Sequence, residues 1–129
     1  MIAQLNAAAV TTDPEERAER LRLVVVGGGY AGTETAAGLQ LLTRAAARFP
    51  RLDPSQLSWH LVDIAPSLLP EVGTRLGDEA QRTLRERGME ISLETSVARL
   101  TPRSVELTDG RTLGTRTLVW TAGAPPAPW

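Results

Sequence analysis

The sequence predicts an α/β domain with a mostly parallel central sheet, because a strand-like segment leads into a helix across a glycine-rich bend. Leu23–Val26 is an aliphatic run of the kind that is buried on both faces of a parallel sheet. Gly27–Gly32 interrupts this run, and a helical pattern follows from Ala31 to about Arg48. Strand and helix signals then alternate along the 129 residues, which is typical of parallel sheets.

Two short helices are predicted before the first strand. Ile2–Val10 is alanine-rich, and a second helix should run from Pro14, with Asp13 as its cap, to about Arg20. The first strand, which contains the aliphatic run, then covers residues 21–26. Both helices therefore lie outside the predicted alternation.

The alternation continues after the long helix. Residues 57–63 form the second predicted strand, and Leu76, Ala80 and Leu84 recur at helical spacing before Gly88 ends that helix. Residues 89–93 form the third strand.

A change of period follows the third strand. Short alternating segments between residues 97 and 113 turn at Pro102 and at Asp109-Gly110, which predicts an antiparallel β-meander. Residues 117–121 form a last buried strand. This order describes a Rossmann-like, three-layer domain in which the meander replaces one crossover helix.

Composition excludes several classes of protein. The net charge is -1, which gives no general attraction to nucleic acid, and the absence of cysteine rules out disulfides and thiolate metal sites. No secretory signal is present, and no apolar run approaches the roughly 18 residues that span a bilayer. We therefore expect a cytoplasmic protein without nucleic-acid partners, bound metal or direct membrane contact.

The glycine-rich bend matches the pattern Gly-x-Gly-x-x-Gly between a strand and a helix, which is typical of dinucleotide binding. Gly27 would permit the tight turn, Gly29 the approach of a pyrophosphate, and Gly32 close helix packing. The amide groups at the helix start would then bind the phosphates. The six candidate residues of this bend are Gly27, Gly28, Gly29, Tyr30, Ala31 and Gly32.

Asp63 ends the second predicted strand, where a carboxylate can accept hydrogen bonds from the adenosine ribose and repel a 2′-phosphate. This position favours NADH over NADPH. Its distance from the glycines exceeds the usual ~20 residues, which fits an extended helix and loop between them. The alternative is that Asp63 caps the turn at Ala65-Pro66.

Other polar and aromatic residues carry weaker signals. Glu34 is expected in the first helical turn, where the helix dipole stabilises a carboxylate with or without a ligand. His60 stands alone on a strand, so a structural role is predicted. Trp59 and Trp120 are expected in the core. No catalytic residue is predicted.

Several segments together resemble the pyridine nucleotide-disulfide oxidoreductase superfamily, and within it type II NADH dehydrogenases. The resemblance covers nearly the whole chain, but only the NADH-binding domain of that family. The segments that carry it are Val-Val-Val-Gly-Gly-Gly-Tyr-Ala-Gly-Thr-Glu-Thr-Ala-Ala-Gly (24–38), Leu-Val-Asp (61–63), Leu-Leu-Pro (68–70), Asp-Gly (109–110) and Val-Trp-Thr-Ala-Gly (119–123).

The resemblance implies positions for the rest of the ligand. Tyr30 and Glu34 match positions near the nicotinamide, and Ala122 and Gly123 match the turn at the interface between nicotinamide and flavin. Ile64 and Val97 would flank the adenine.

The resemblance also implies a division of the chain. Residues 1–20 would be connecting helices, residues 21–123 the NADH-binding domain, and residues 124–129 a proline-rich linker toward an FAD-binding domain. The FAD segments of the family have no counterpart here. The intact enzyme, at the cytoplasmic face of the membrane, would pass hydride from NADH to FAD and electrons to a quinone. The fragment alone should not turn over.

Three alternatives remain open at this point. The chain could be the NADH domain of a ferredoxin, rubredoxin or nitrite reductase relative, because these share the same domain. It could also be a stand-alone NADH sensor, or the glycine bend could bind the ADP half of FAD.

Overall fold

The computed structural model describes residues 2–48 and 52–121. The helices are α1 (Ile2–Val10), α2 (Pro14–Arg20), α3 (Tyr30–Ala46) and α4 (Thr74–Glu86). The strands are β1 (Arg22–Val26), β2 (Ser58–Val62), β3 (Met89–Ser92), β4 (Val97–Thr101), β5 (Ser104–Leu107), β6 (Thr112–Gly114) and β7 (Thr117–Trp120). Every predicted element is present, with bounds that differ by one or two residues.

Four strands form a parallel sheet in the order β3-β2-β1-β7, and the other three form an antiparallel sheet in the order β4-β5-β6. The antiparallel sheet follows β3 and precedes β7, so it occupies the place of a crossover helix. The prediction of a meander at this point is confirmed. Gly110, with φ of +93°, supplies the left-handed residue that the hairpin between β5 and β6 requires.

The parallel sheet separates two hydrophobic cores. Leu23 and Val25 point to the helical side and join a core that contains α1, α3 and α4 residues. Val24 and Val26 point to the opposite side and pack with residues of the meander. Because successive side chains of a strand face opposite ways, β1 is apolar on both faces. The three-layer architecture is therefore confirmed.

Helix α1 packs on the same core as the helical layer. Leu5 and Ala8 of α1 are fully buried within it. Arg17 of α2 also holds the connection between the helices, because its Nη2 donates to the carbonyl of Thr11 at 2.6 Å. The predicted boundary at residue 20 thus lies inside one packed unit, and the domain boundaries stay predictions. The predicted linker, residues 124–129, lies outside the described residues.

Two details of the helices differ from expectation. Helix α3 begins at Tyr30, one residue earlier than predicted, so its first turn contains no acid and Glu34 falls in the second turn. The argument from the helix dipole is weaker there, because the effect fades beyond the first turn. In α4, Leu76 is exposed and Gly77 faces inward, where a Cβ would lie 2.2 Å from the carbonyl oxygen of Leu68.

Candidate functional site

The carboxyl ends of the parallel strands meet at one edge of the sheet, which we call the carboxyl edge. The amide of Gly27 donates to the carbonyl of Val62 at 2.8 Å, which joins the glycine bend to the end of β2. On the other side, the amide and hydroxyl of Thr121 donate to the carbonyl of Val26 at 2.9 and 2.8 Å. The bend is therefore fixed between β2 and β7, where open α/β sheets bind their ligands.

Two glycines explain how the bend meets helix α3. Gly27 has φ of +120°, a conformation that residues with a side chain rarely adopt. A Cβ on Gly32 would lie 1.7 Å from the carbonyl oxygen of Gly27. Only a hydrogen atom fits at Gly32, so the first turn of α3 lies directly against the bend. This packing agrees with the role predicted for Gly32.

Gly28 lies against two other parts of the carboxyl edge. A Cβ on Gly28 would stand 2.8 Å from Cδ2 of Leu68 and 3.0 Å from Cβ of Asp63. The carbonyl of Gly28 also accepts the amide of Leu69 at 2.9 Å. The structure thus brings together the glycine bend and the acid at the end of β2.

The N-terminus of α3 is open to an anion. Gly29 is the N-cap residue in an extended conformation, and no side chain of the described residues caps it. Its carbonyl accepts the amide of Thr33 at 2.9 Å, which begins the helical ladder. The amides of Ala31 and Gly32 precede this bond and have no acceptor within the helix. Such amides, together with the helix dipole, are suited to bind phosphate.

Asp63 is held by its backbone and partly by its side chain. Its amide donates to the carbonyl of Ser92 at 3.0 Å, and its carbonyl accepts the amide of Thr95 at 3.0 Å. Its Oδ2 accepts the amide of Ala65 at 3.3 Å, which is the turn-capping contact foreseen as an alternative. Its Oδ1 makes no hydrogen bond within the described ranges, so capping leaves one oxygen for a ligand.

The remaining candidate residues fall into different environments. Tyr30 and Ile64 are 60% and 75% exposed, at the start of α3 and directly after Asp63. Glu34 is also exposed. Val97 is only 8% exposed and packs in the core on the meander side, so little of its surface is accessible to adenine.

Ala122 and Gly123 lie outside the described residues. Their predicted contact with the nicotinamide end therefore stays a prediction.

Sequence reasoning missed the segment that holds Asp63 in place. Ser92 ends β3 and Thr95 lies just beyond it, and both bond to the Asp63 backbone. Glu94, between them, has φ of +52° and donates its amide to the carbonyl of Ala65 at 3.0 Å. The available signal was the topology, because the segment after β3 must lie at the same edge as the segment after β2.

Other kinds of site find no support in the described ranges. No cluster of metal-binding side chains is present there. None of the helices there combines the length and the apolar character that a membrane span needs. A groove on α4 is lined by polar and charged side chains of that helix alone, none of which belongs to the carboxyl edge.

The sequence from residue 3 to residue 128 matches the family model described as pyridine nucleotide-disulphide oxidoreductase. The chain belongs to this family. It is 35% identical to the type II NADH:quinone oxidoreductase NdhA of Mycobacterium tuberculosis over 134 residues, which cover 99% of this chain and 28% of that protein. The chain thus spans just over a quarter of that relative's length.

Two solved structures share the fold of this chain. The structure of NDH2 from Plasmodium falciparum in complex with NADH has a TM-score of 0.86 at 18% identity, covering 95% of this chain and 26% of that one. The ferredoxin reductase from Rhodopseudomonas palustris has a TM-score of 0.60 at 23% identity, covering 79% of this chain and 24% of that one. The three-layer fold of this family is therefore the fold of this chain.

Proposed function

We propose that this chain binds NADH at the carboxyl edge and, within a longer protein, presents the nicotinamide to FAD in an NADH:quinone oxidoreductase. The observation that carries the proposal is the contact between Gly28 and Asp63, beside the uncapped start of α3. This contact supports the proposal, because a helix end suited to phosphate then lies next to a carboxylate suited to ribose. The proposal for the whole protein rests on the name of the M. tuberculosis relative.

The glycine bend fits a pyrophosphate. Gly32 packs closely on Gly27, and no side chain of the described residues caps the start of α3. A pyrophosphate would accept hydrogen bonds from the amides that follow Gly29, with the positive end of the helix dipole toward its charge. Gly28 would contribute by keeping the neighbouring space free of a side chain.

Asp63 fits the adenosine ribose of NADH. Its backbone is bonded on both sides, and its Oδ1 is available to accept a ribose hydroxyl. A carboxylate at this place would repel the 2′-phosphate of NADPH. The structure offers no cation bonded to Asp63 within the described part of the chain that would offset this repulsion.

The adenine and nicotinamide ends of the ligand would contact residues on either side of the glycine bend. Ile64, which is highly exposed, would cover the adenine, with Val97 beneath it. Tyr30 and Glu34 would lie toward the nicotinamide, and so would the turn at residues 122–123. These assignments follow the resemblance to the family.

The cofactors would supply the reacting groups, and the residues of this chain would hold NADH in position. NADH, when bound, supplies the hydride, and FAD held mainly by the rest of the protein would accept it. The residues of this chain bind and orient, and none needs to act as acid, base or nucleophile. We infer that residues 21–123 form the NADH-binding part, between connecting helices and a linker, and that the fragment alone does not turn over.

Titration of the purified chain with NADH, NADPH and FAD tests this proposal. We expect saturable NADH binding, weaker NADPH binding and a colourless protein. Asp63→Ala should weaken NADH more than NADPH, while Asp53→Ala, which removes a carboxylate from another turn, should change neither. A yellow protein with bound flavin, or equal losses for both nucleotides in Asp63→Ala, would contradict the assignment.

A reductase of the ferredoxin type is the second candidate, because such a reductase shares the fold. The 35% identity to the type II NADH:quinone oxidoreductase NdhA, over 99% of this chain, favours the first proposal. Assays of the longer protein with a quinone and with ferredoxin as electron acceptors would separate the two candidates. The NADH titration of this chain alone would not.

A further inference from the structure

The tip of the hairpin between β5 and β6 is tied to the parallel sheet at the carboxyl edge. Arg111, directly after the turn, donates from Nη2 to Oγ of Ser92. Its Nε donates to Oδ2 of Asp109 at 2.8 Å, which fixes the guanidinium within the turn. The amide of Thr108 also donates to the carbonyl of Ser96 at 2.9 Å. The hairpin therefore contacts the end of β3 and the segment that follows it.

Ser92 connects Arg111 to Asp63, because it is bonded to both. Its side chain is buried, and its own carbonyl accepts the amide of Asp63 at 3.0 Å. Its Oγ also lies 2.8 Å from Nε2 of His60, which is 2% exposed. One residue thus links the hairpin, the buried histidine and the backbone of the proposed ribose-binding acid.

The neighbouring charges favour one direction for these hydrogen bonds. A guanidinium only donates, so Oγ of Ser92 accepts from Arg111. The Ser92 hydroxyl donates to Nε2 of His60 when the imidazole proton is on Nδ1. That tautomer is favoured because Nδ1 lies 3.2 Å from the carboxylate Oε2 of Glu90. That last contact lacks the alignment of a hydrogen bond, so we treat it as electrostatic attraction.

Burial keeps His60 neutral. It lowers the pKa of His60, and the guanidinium groups of Arg111 and Arg22 lower it further. The carboxylates of Glu90 and Asp109 act in the opposite direction but do not outweigh burial. With its proton on Nδ1, the neutral ring accepts the Ser92 proton at Nε2, which leaves a lone pair of the Ser92 Oγ for Arg111.

We propose that Arg111 is a positioning residue for Asp63, acting through Ser92, so that the meander sets the affinity of the domain for NADH. The proposal rests on the NADH site proposed above. Arg111 does not touch Asp63 itself. Loss of the Arg111 side chain would loosen the end of β3 and the backbone of Asp63 that is bonded to it. The backbone of Asp63 sets the position of its carboxylate.

The test compares variants of the 129-residue chain. Arg111→Met removes the donor and keeps an apolar stem, and Arg111→Lys restores a cationic donor. Arg99→Ala is the matched control, because Arg99 lies in the same meander and its ion pair, among the described residues, is with the partly exposed Glu106. Two quantities are measured: the dissociation constants for NADH and NADPH, and the hydrogen-exchange rate of the Asp63 amide by NMR.

We expect Arg111→Met to weaken NADH binding about three- to tenfold, the effect of one lost hydrogen bond, and NADPH binding less. The Asp63 amide should exchange faster in the same variant. Arg111→Lys should recover most of the affinity, and Arg99→Ala should match the wild type. Ser92→Ala removes the acceptor of the same bond and should reproduce the loss, which keeps the test decisive if Arg111→Met does not fold.

Three results would overturn the proposal: an unchanged exchange rate at Asp63, an unchanged affinity for NADH, or a larger loss for NADPH than for NADH. The last would show that Arg111 contacts the nucleotide directly. A wild-type chain without affinity for NADH would instead overturn the proposed function. The exchange rates would then decide by themselves whether Arg111 holds Asp63.

Discussion

Gly28 and Asp63 lie so close together that a methyl group on Gly28 would stand 3.0 Å from Cβ and 3.1 Å from Oδ2 of Asp63. Separations below about 3.4 Å require a neighbour to move, and here the neighbours are the short side chain of Asp63 and the buried Leu68. The absence of a side chain at Gly28 therefore leaves room for the Asp63 side chain as well as for the proposed ligand.

Gly28→Ala should displace Asp63 and lower both stability and affinity. Overpacking of this kind costs about 1–3 kcal/mol in the free energy of unfolding. Urea denaturation measures that loss, and NADH titration should show weaker binding in the variant. Full affinity in Gly28→Ala would contradict the geometry described for this bend.

Gly38→Ala is the matched control, a glycine in the middle of α3, the helix that follows the bend. Apart from the adjoining backbone of α3, no atom of the described residues lies within 4 Å of a Cβ at Gly38. Alanine is favoured over glycine inside a helix by about 1 kcal/mol, so this variant should be more stable than the wild type. A loss of stability at Gly38 would mean that α3 does not run as described.

Thr43→Val should destabilise the helical layer. The Thr43 hydroxyl accepts Nε1 of Trp59 at 2.8 Å and donates to the carbonyl of Leu39 at 2.7 Å. Valine keeps the shape but leaves the buried indole N–H without a partner, which costs about 1–3 kcal/mol. Thr43→Ser keeps the hydroxyl and should lose less. Denaturation followed by circular dichroism would compare them, and equal losses would count against the hydrogen bond.

Stability should fall in mild acid because of His60. Burial lowers the pKa of His60 from 6.5, so the unfolded chain takes up a proton before the folded chain does. Between these two pKa values the free energy of unfolding should decrease as the pH falls, by at most about 1.4 kcal/mol per pH unit for one proton.

His60 is the one histidine of the chain, which makes this dependence simple to assign. His60→Gln keeps a polar group beside Ser92 and should flatten the profile below pH 6.5, the ordinary pKa of histidine, apart from the contribution of carboxylates. An identical slope in the variant would show that His60 is not the group responsible.

The alternation of strands and helices could be predicted because its signals are local. The aliphatic run Leu23–Val26, the glycine bend and the Asp109-Gly110 turn each specify structure within a few residues. The meander was predictable for the same reason. Even the contact of Asp63 with the glycine bend followed from the rule that parallel strands end at one edge.

The contacts that fix the carboxyl edge could not be predicted, because they join residues far apart in the sequence. His60 was expected to be structural, and it is, but its bond to Ser92 depends on the register of β2 against β3. Arg111 gave no signal beyond its place after a turn. The exposure of Leu76 likewise depends on Gly77 taking the inward position against Leu68.

Strand β7 lies far from β1 in the sequence but pairs with it in the sheet, where Leu23 lies beside Thr117. The amide of Thr121, just after β7, donates to the carbonyl of Val26. During synthesis on a ribosome, the meander and the β1–β2 pair can assemble while later codons are still being read. The carboxyl edge cannot be completed at that stage, because β7, which borders it on one side, follows all the other described strands in the sequence. The proposed nucleotide should therefore be unable to stabilise the nascent chain by binding until β7 has left the exit tunnel.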